Sequence, residues 1–143
     1  MDETINKLKT PEECIQYANK CTALAKEARL RAIELRAYAQ NAKSEVETEL
    51  WKALYAYEEI LTKKNQRRTL ADRTRQMITR YGIIGTAERA VNRKIEAMGY
   101  KVLVEMGMQD LTFESIVTKF PESFGKDIVK LCSERLKEFK KIE

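Results

Sequence analysis

A chain of 143 residues is near the modal size of one folded domain, and a domain of that length buries roughly two-thirds of its unfolded surface without needing disulfides. Apolar residues at 43 % are too many for a disordered chain, and 5 Gly with 2 Pro are too few for a many-stranded fold, so the expected class is all-α, a compact bundle of about six to eight helices in one domain spanning 1–143. Histidine is absent and the formal charge is +5; the first fact removes the commonest metal ligand and general base, and the second asks for an anionic partner.

The N-terminal Met1-Asp2-Glu3-Thr4 has no basic or apolar character of a signal segment, and no apolar run approaches the ~18 residues that cross a bilayer. A cytoplasmic protein with no membrane role is expected. Cys14, Cys21 and Cys132 are odd in number and contain no CxxC pair, so neither a disulfide framework nor a zinc site is indicated, and they read as small buried apolar residues.

Thr10-Pro11-Glu12-Glu13 carries an N-cap, a first-position proline and a glutamate three residues after the cap, which opens a helix at 11. Ile15, Ala18, Cys21, Ala25, Ala28, Ala32, Leu35 and Ala39 recur at helical spacing as a small-residue stripe, which invites a partner helix alongside. Residues 11–40 form one bent helix or two with a break near 20–22, and 1–62 is read as a helical hairpin followed by a long helix. Ser44 with Glu47 is a second capping box, followed by Val46, Leu50, Ala53, Leu54, Tyr57, Ile60 and Leu61. Trp51 and Tyr55 fall on a neighbouring face, which places this helix at the centre of the bundle or against a second subunit.

Thr69 is read as the cap of a helix over 70–81, with Leu70, Thr74, Met77, Ile78 and Tyr81 on its apolar face and Arg73, Gln76 and Arg80 on an adjacent stripe. Gly82 ends it, and Thr86 is read as capping a second helix to about Lys94 after a Gly82-Ile83-Ile84-Gly85 turn. The expected C-terminal elements, over 95–143, are a helix from Met98 closed by Gly107, a helix from Phe113 to Lys119 capped by Thr112 and ended at Phe120-Pro121, and a helix from Lys126 to Ile142 carrying Ile128, Leu131, Cys132, Leu136 and Phe139.

The positive charge is local. Residues 63–94 hold ten Lys and Arg against two acids, a net +8, while the flanking segments are −2 and −1. The ten are Lys63, Lys64, Arg67, Arg68, Arg73, Arg75, Arg80, Arg89, Arg93 and Lys94, opposed by Asp72 and Glu88. Seven are arginine, the residue that binds phosphate and carboxylate bidentately, whereas a face kept wet only for solubility mixes both signs. Residues 63–68 are expected in a loop, where they would contact phosphate. The pair over 69–94 has the outline of a helix-turn-helix, with Arg73, Gln76 and Arg80 able to reach base edges.

For catalysis, Glu105, Asp110 and Glu114 form the nearest acidic group that could hold a divalent cation, yet each reads more simply as a helix-end acid. The chain contains no GxxxxGK[ST], GxGxxG, GxSxG or HExxH sequence. No catalytic residue, metal or cofactor is therefore assigned. The resulting expectation is a non-catalytic accessory or regulatory protein that binds nucleic acid, DNA ahead of RNA, through Lys63, Lys64, Arg67, Arg68, Arg73, Arg75, Gln76, Arg80, Arg89 and Arg93. The alternative is a helical module that docks on a larger protein such as a nucleic-acid enzyme, or a homodimer using Trp51, Tyr55, Leu136 and Phe139, since association surfaces are rich in aromatic and aliphatic side chains.

Overall fold

A computed structural model describes residues 1–92 and 97–141; Arg93, Lys94 and Ile142, named above, lie outside the described residues. Among the described residues all regular structure is helical: α1 Glu3–Asn6, α2 Pro11–Tyr38, α3 Glu45–Asn65, α4 Asp72–Ala90, α5 Ala97–Glu105, α6 Phe113–Lys119, a 3₁₀ turn Pro121–Ser123 and α7 Lys126–Lys140. The chain divides into two compact units, 1–32 and 33–143.

In the first unit Asp2 caps α1 by accepting from the N–H of Thr4, and the capping box at Thr10 forms: Thr10 accepts from the Glu13 N–H, and Glu13 reaches back to the N–H of Lys9. Residues 11–38 are one unbroken helix. Its small-residue stripe has no partner helix inside this unit. Ile15 and Leu24 are exposed, and so are Cys14 and Cys21, contrary to the reading of those cysteines as buried. Helical spacing specifies which residues share a face, but burial of that face requires a second surface.

The second unit is built around α3. Ser44 accepts from the Glu47 N–H and Glu47 from the Lys43 N–H, after which α3 serves two apolar clusters from two faces. Val46, Leu50 and Ala53 join Ile83, Ala87, Val91, Ile116, Val117, Phe124 and Cys132. Tyr55 and Ala56 join Ile33, Ala37, Leu103 and Met108, and Trp51 packs on both. The last turns of α2 run antiparallel to α3, with Arg36 at 3.3 Å from Glu59 and Lys52 over the Tyr38 ring. The expected hairpin followed by a long helix is not what forms: 11–38 is one helix, and it is its last turns that lie against the long helix α3. The central position of α3 also explains its apolar second face, which leaves Tyr55 buried and hydrogen-bonded by Gln40. Phe139 is likewise buried, stacked on Tyr100 with ring centroids 4.7 Å apart, while Leu136 is half-buried. Tyr55 and Phe139 are thus committed within the chain and not presented to a second subunit.

The start of α4 departs from the sequence reading. Its N-cap is Ala71, which has no side-chain acceptor, and Leu70 is exposed ahead of the helix. Thr69 instead braces the 66–71 connector: its N–H donates to the Thr62 hydroxyl, which in turn donates to the Thr69 carbonyl. The cap comes from α3. Glu58, 1 % exposed, accepts from the Ala71 N–H at 2.8 Å and from one edge of the Arg75 guanidinium, Nε at 2.6 Å and Nη2 at 2.7 Å. Burial disfavours the ionised carboxylate, but the Arg75 and Ala71 hydrogen bonds and the Arg75 and Arg68 charges outweigh it and hold the carboxyl below its usual value.

Gly82 breaks α4 with φ 76° and ψ 170°, a conformation open to glycine and costly for other residues. Ile83, Ile84 and Gly85 continue directly as helix, so the expected four-residue turn is a single residue. Thr86 is inside the second half and donates to the Gly82 carbonyl at 2.7 Å; it is not an N-cap. At the end of α5, Gly107 with φ 70° closes the helix through Gly107 N–H to Val104 O and Met108 N–H to Leu103 O. This Schellman pair is reinforced by packing of Met108 with Leu103. Thr112 caps α6 by accepting from the Ser115 N–H, and α6 packs on α7.

Replacing Arg75 by Ala leaves Glu58 as a buried charge without its counter-ion, and a loss of about 3 kcal/mol in urea unfolding at neutral pH is expected. A depressed folded-state pKa means that the unfolded chain takes up the proton first, so the Glu58 contribution is complete above the usual carboxylate value and is lost as pH falls through the folded one. The Arg75→Ala protein should lose that component of the acid dependence. Gly82→Ala should destabilise by about 1–3 kcal/mol in the same assay, from backbone strain alone, since no atom lies within 4 Å of an added Cβ.

Candidate nucleic-acid interface

Of the eight cations of the 63–94 segment that lie among the described residues, three are held by acids of the second unit. Arg75 is bound to Glu58 as above, Arg68 lies 3.3 Å from Glu59, and Lys63 lies 3.3 Å from Glu105. The last two pairs are solvent-exposed on their basic side, where such interactions contribute little and can be exchanged; the Arg75 pair is bidentate onto a buried acid. Lys63 and Lys64 belong to the last turn of α3 and not to a loop. The connector begins at Gln66, which takes the left-handed conformation at φ 56°, and it is ordered by Thr62, Asn65 and Thr69. Lys64, Arg67 and Arg73 are exposed, as are Gln76, Arg80 and Arg89.

Arg73, Gln76 and Arg80 share the outer stripe of the first half of α4, as their spacing requires. Tyr81 does not complete an apolar face: it is 41 % exposed. The Arg89 guanidinium lies over its ring at 3.6 Å from the centroid and Arg80 lies at 5.9 Å. Arg89 is fixed by donating from Nη1 to the Gly85 carbonyl at 3.1 Å. In an unbroken helix residues 81 and 89 are about 12 Å apart along the axis, so the break at Gly82 brings them together. A Cβ built on Gly85 would meet the Tyr81 Cβ at 3.2 Å, well inside the ~5–6 Å of an ordinary i,i+4 pair. Gly85 therefore makes room for the close approach of the Tyr81 Cβ. Hydrogen bonding by Arg80, together with the charges of both arginines, holds the exposed Tyr81 phenol below its usual pKa. The sequence supplied Arg80, Tyr81, Gly85 and Arg89 as separate residues, and only the single-residue break joins them.

A cavity of about 740 Å³ lies beside this face, lined largely by apolar side chains such as Ile60, Leu61, Met77, Leu103 and Phe113, with Lys63 and Lys64 also on its wall. The three acids considered for a cation are not brought together. Glu105 is exposed and paired with Lys63, Asp110 is exposed, and Glu114 is fully buried. Among the described residues no group of three metal-ligating side chains forms.

Glu114 faces Arg135 at 3.6 Å, and neither of its carboxylate oxygens has a hydrogen-bond partner among the described residues. Arg135 also donates to the Val91 carbonyl. Burial raises the Glu114 pKa above its usual value despite Arg135, and burial with the nearby Glu114 charge pushes the Cys132 thiol up to about 12.

Comparison with protein-family models, with curated proteins and with solved structures finds no match to this chain. No helix among the described residues is long and apolar enough to cross a membrane.

Two of the three cysteines should react rapidly with a thiol reagent at neutral pH in the native protein. Cys14 and Cys21 are exposed, whereas Cys132 is buried with a raised pKa. Counting released chromophore before and after denaturant measures this directly, with the third thiol appearing only on unfolding.

Proposed function

We propose that this chain is a non-catalytic, cytoplasmic accessory protein that binds nucleic acid through the arginine face of α4 and the connector before it. The observation that carries the reading is the set of exposed cations left after internal pairing: Lys64, Arg67, Arg73, Arg80 and Arg89, with Gln76 among them. Five positive charges retained on one stretch of a −2, +8, −1 chain repel one another, and a polyanion relieves that repulsion. Arg75 is left out of the binding set because Glu58 occupies its guanidinium. Arg68 and Lys63 supply secondary phosphate contacts, since their acidic partners are solvent-accessible competitors.

A second reading is favoured by the cavity next to Lys63 and Lys64. An apolar recess with cations on its wall suits an acidic amphipathic segment of a larger protein, and the same face would then modulate that partner.

The Arg73→Ala, Arg80→Ala double variant should bind duplex DNA, single-stranded DNA and RNA at least tenfold more weakly at low salt, with unchanged helical content. Its log-log salt dependence on duplex DNA should fall by about 0.9 for each phosphate that is no longer neutralised. Glu12→Lys, in the first unit, should not weaken binding. If the wild-type protein binds none of the three, the nucleic-acid reading is rejected, and recovery of an acidic partner that the double variant fails to bind would establish the second.

A further inference from the structure

We propose that the Tyr81–Arg89 pair is a stacking platform for an unpaired nucleobase, which makes single-stranded nucleic acid the preferred ligand of this face. The inference rests on the nucleic-acid reading above and adds the form of the ligand to it.

The platform is built and not incidental. An exposed tyrosine in an ordinary amphipathic helix has solvent or a flexible neighbour over its ring. Here a guanidinium sits at 3.6 Å from the centroid, plane-contact distance, and is tied down by its bond to the Gly85 carbonyl. Two backbone features support it: the glycine-only conformation at position 82, which breaks α4 between Tyr81 and Arg89, and the missing Cβ at position 85, where an added one would meet the Tyr81 Cβ at 3.2 Å. Both members are exposed, so a planar group can extend the pair from its solvent side. Nucleobases stack on tyrosine rings and on arginine planes alike, without regard to sequence.

A base inside a duplex already has both faces covered and would have to be unstacked first. A single strand offers its bases at little cost while its phosphates follow the cations. Arg80, beside the same ring, and Arg73, two turns earlier on the same stripe, are placed to hold successive phosphates while a base occupies the platform. The helix-turn-helix alternative requires a turn of three to four residues that sets one helix into the major groove, and the single-residue break at Gly82 does not supply it.

The test is a fluorescence-anisotropy titration with a labelled oligothymidylate of about 16 nucleotides, an abasic strand of the same length and a duplex of the same length, each at two salt concentrations. The wild-type protein should bind the base-bearing strand roughly tenfold or more tightly than the abasic strand and the duplex. Arg89→Lys keeps the charge and loses the plane, so it should abolish that preference while leaving the salt slope unchanged. Tyr81→Leu should do the same. Arg73→Ala should lower the slope and keep the preference. Equal affinity for base-bearing and abasic strands, or a preference that survives Arg89→Lys and Tyr81→Leu, overturns the platform and leaves backbone binding standing. Failure of the wild-type protein to bind any of the three probes overturns the platform, and the nucleic-acid reading falls with it if RNA is not bound either.

Discussion

The position of α4 depends on one buried carboxylate. Glu58 projects from the second half of α3 to the start of α4, where it satisfies the orphan N–H of the N-cap residue Ala71, the donor that a capping-box acid would serve, while neutralising Arg75. An isolated buried acid would carry a large desolvation penalty. Three hydrogen bonds from a backbone amide and a guanidinium offset it. Because Arg75 is the fourth residue of α4, this interaction fixes both where the helix starts and its rotation, and with them the directions of Arg73, Gln76 and Arg80. The basic segment thus contributes one of its own arginines to the scaffold that aims the others.

Glu114 and Arg135 make a contrasting pair. Both are largely buried, yet the separation of 3.6 Å and the carboxylate oxygens without hydrogen bonds leave burial as the dominant influence on Glu114. One acid is held ionised by a bidentate partner and a helix N-terminus; the other is pushed toward its neutral form by the same apolar surroundings that raise Cys132. Formal charge counting treats the two acids alike, and packing separates them.

Much of the architecture was legible in the sequence. The capping boxes at Thr10 and Ser44, the cap at Thr112 and the closure at Gly107 are local hydrogen-bond problems, solved by residues within about four positions, and all four form as read. The errors arise where a local rule competes with a distant partner. Thr69 and Thr86 have the chemistry of caps, but Glu58 arrives from thirteen residues away to serve the first helix start, and the Gly82 conformation removes the need for the second. The alanine and cysteine stripe of α2 has impeccable periodicity and stays exposed, because periodicity does not create a surface to pack on. In the candidate site, the exposed stripe of Arg73, Gln76 and Arg80 was legible from angular spacing. The diversion of Arg75 to Glu58, and the union of Tyr81 with Arg89, were not, since each depends on one long-range interaction or one backbone angle.

The two-sided burial of α3 has a consequence for how this chain tolerates changes in length. Each residue advances an α-helix by about 100°, so one residue inserted or deleted between Leu50 and Glu58 would turn Tyr55 and Ala56 out of one cluster, or Val46 and Leu50 out of the other, and swing Glu58 away from Ala71 in the same step. Both cores and the cap share a single register, and no half-measure preserves two of them. The part of α2 before Ala32 is under no such constraint: its side chains are almost all in solvent, and rotation there withdraws nothing from a packed surface. Length variation in this protein is therefore free in the early turns of α2 and forbidden in α3, although both are long helices of similar composition.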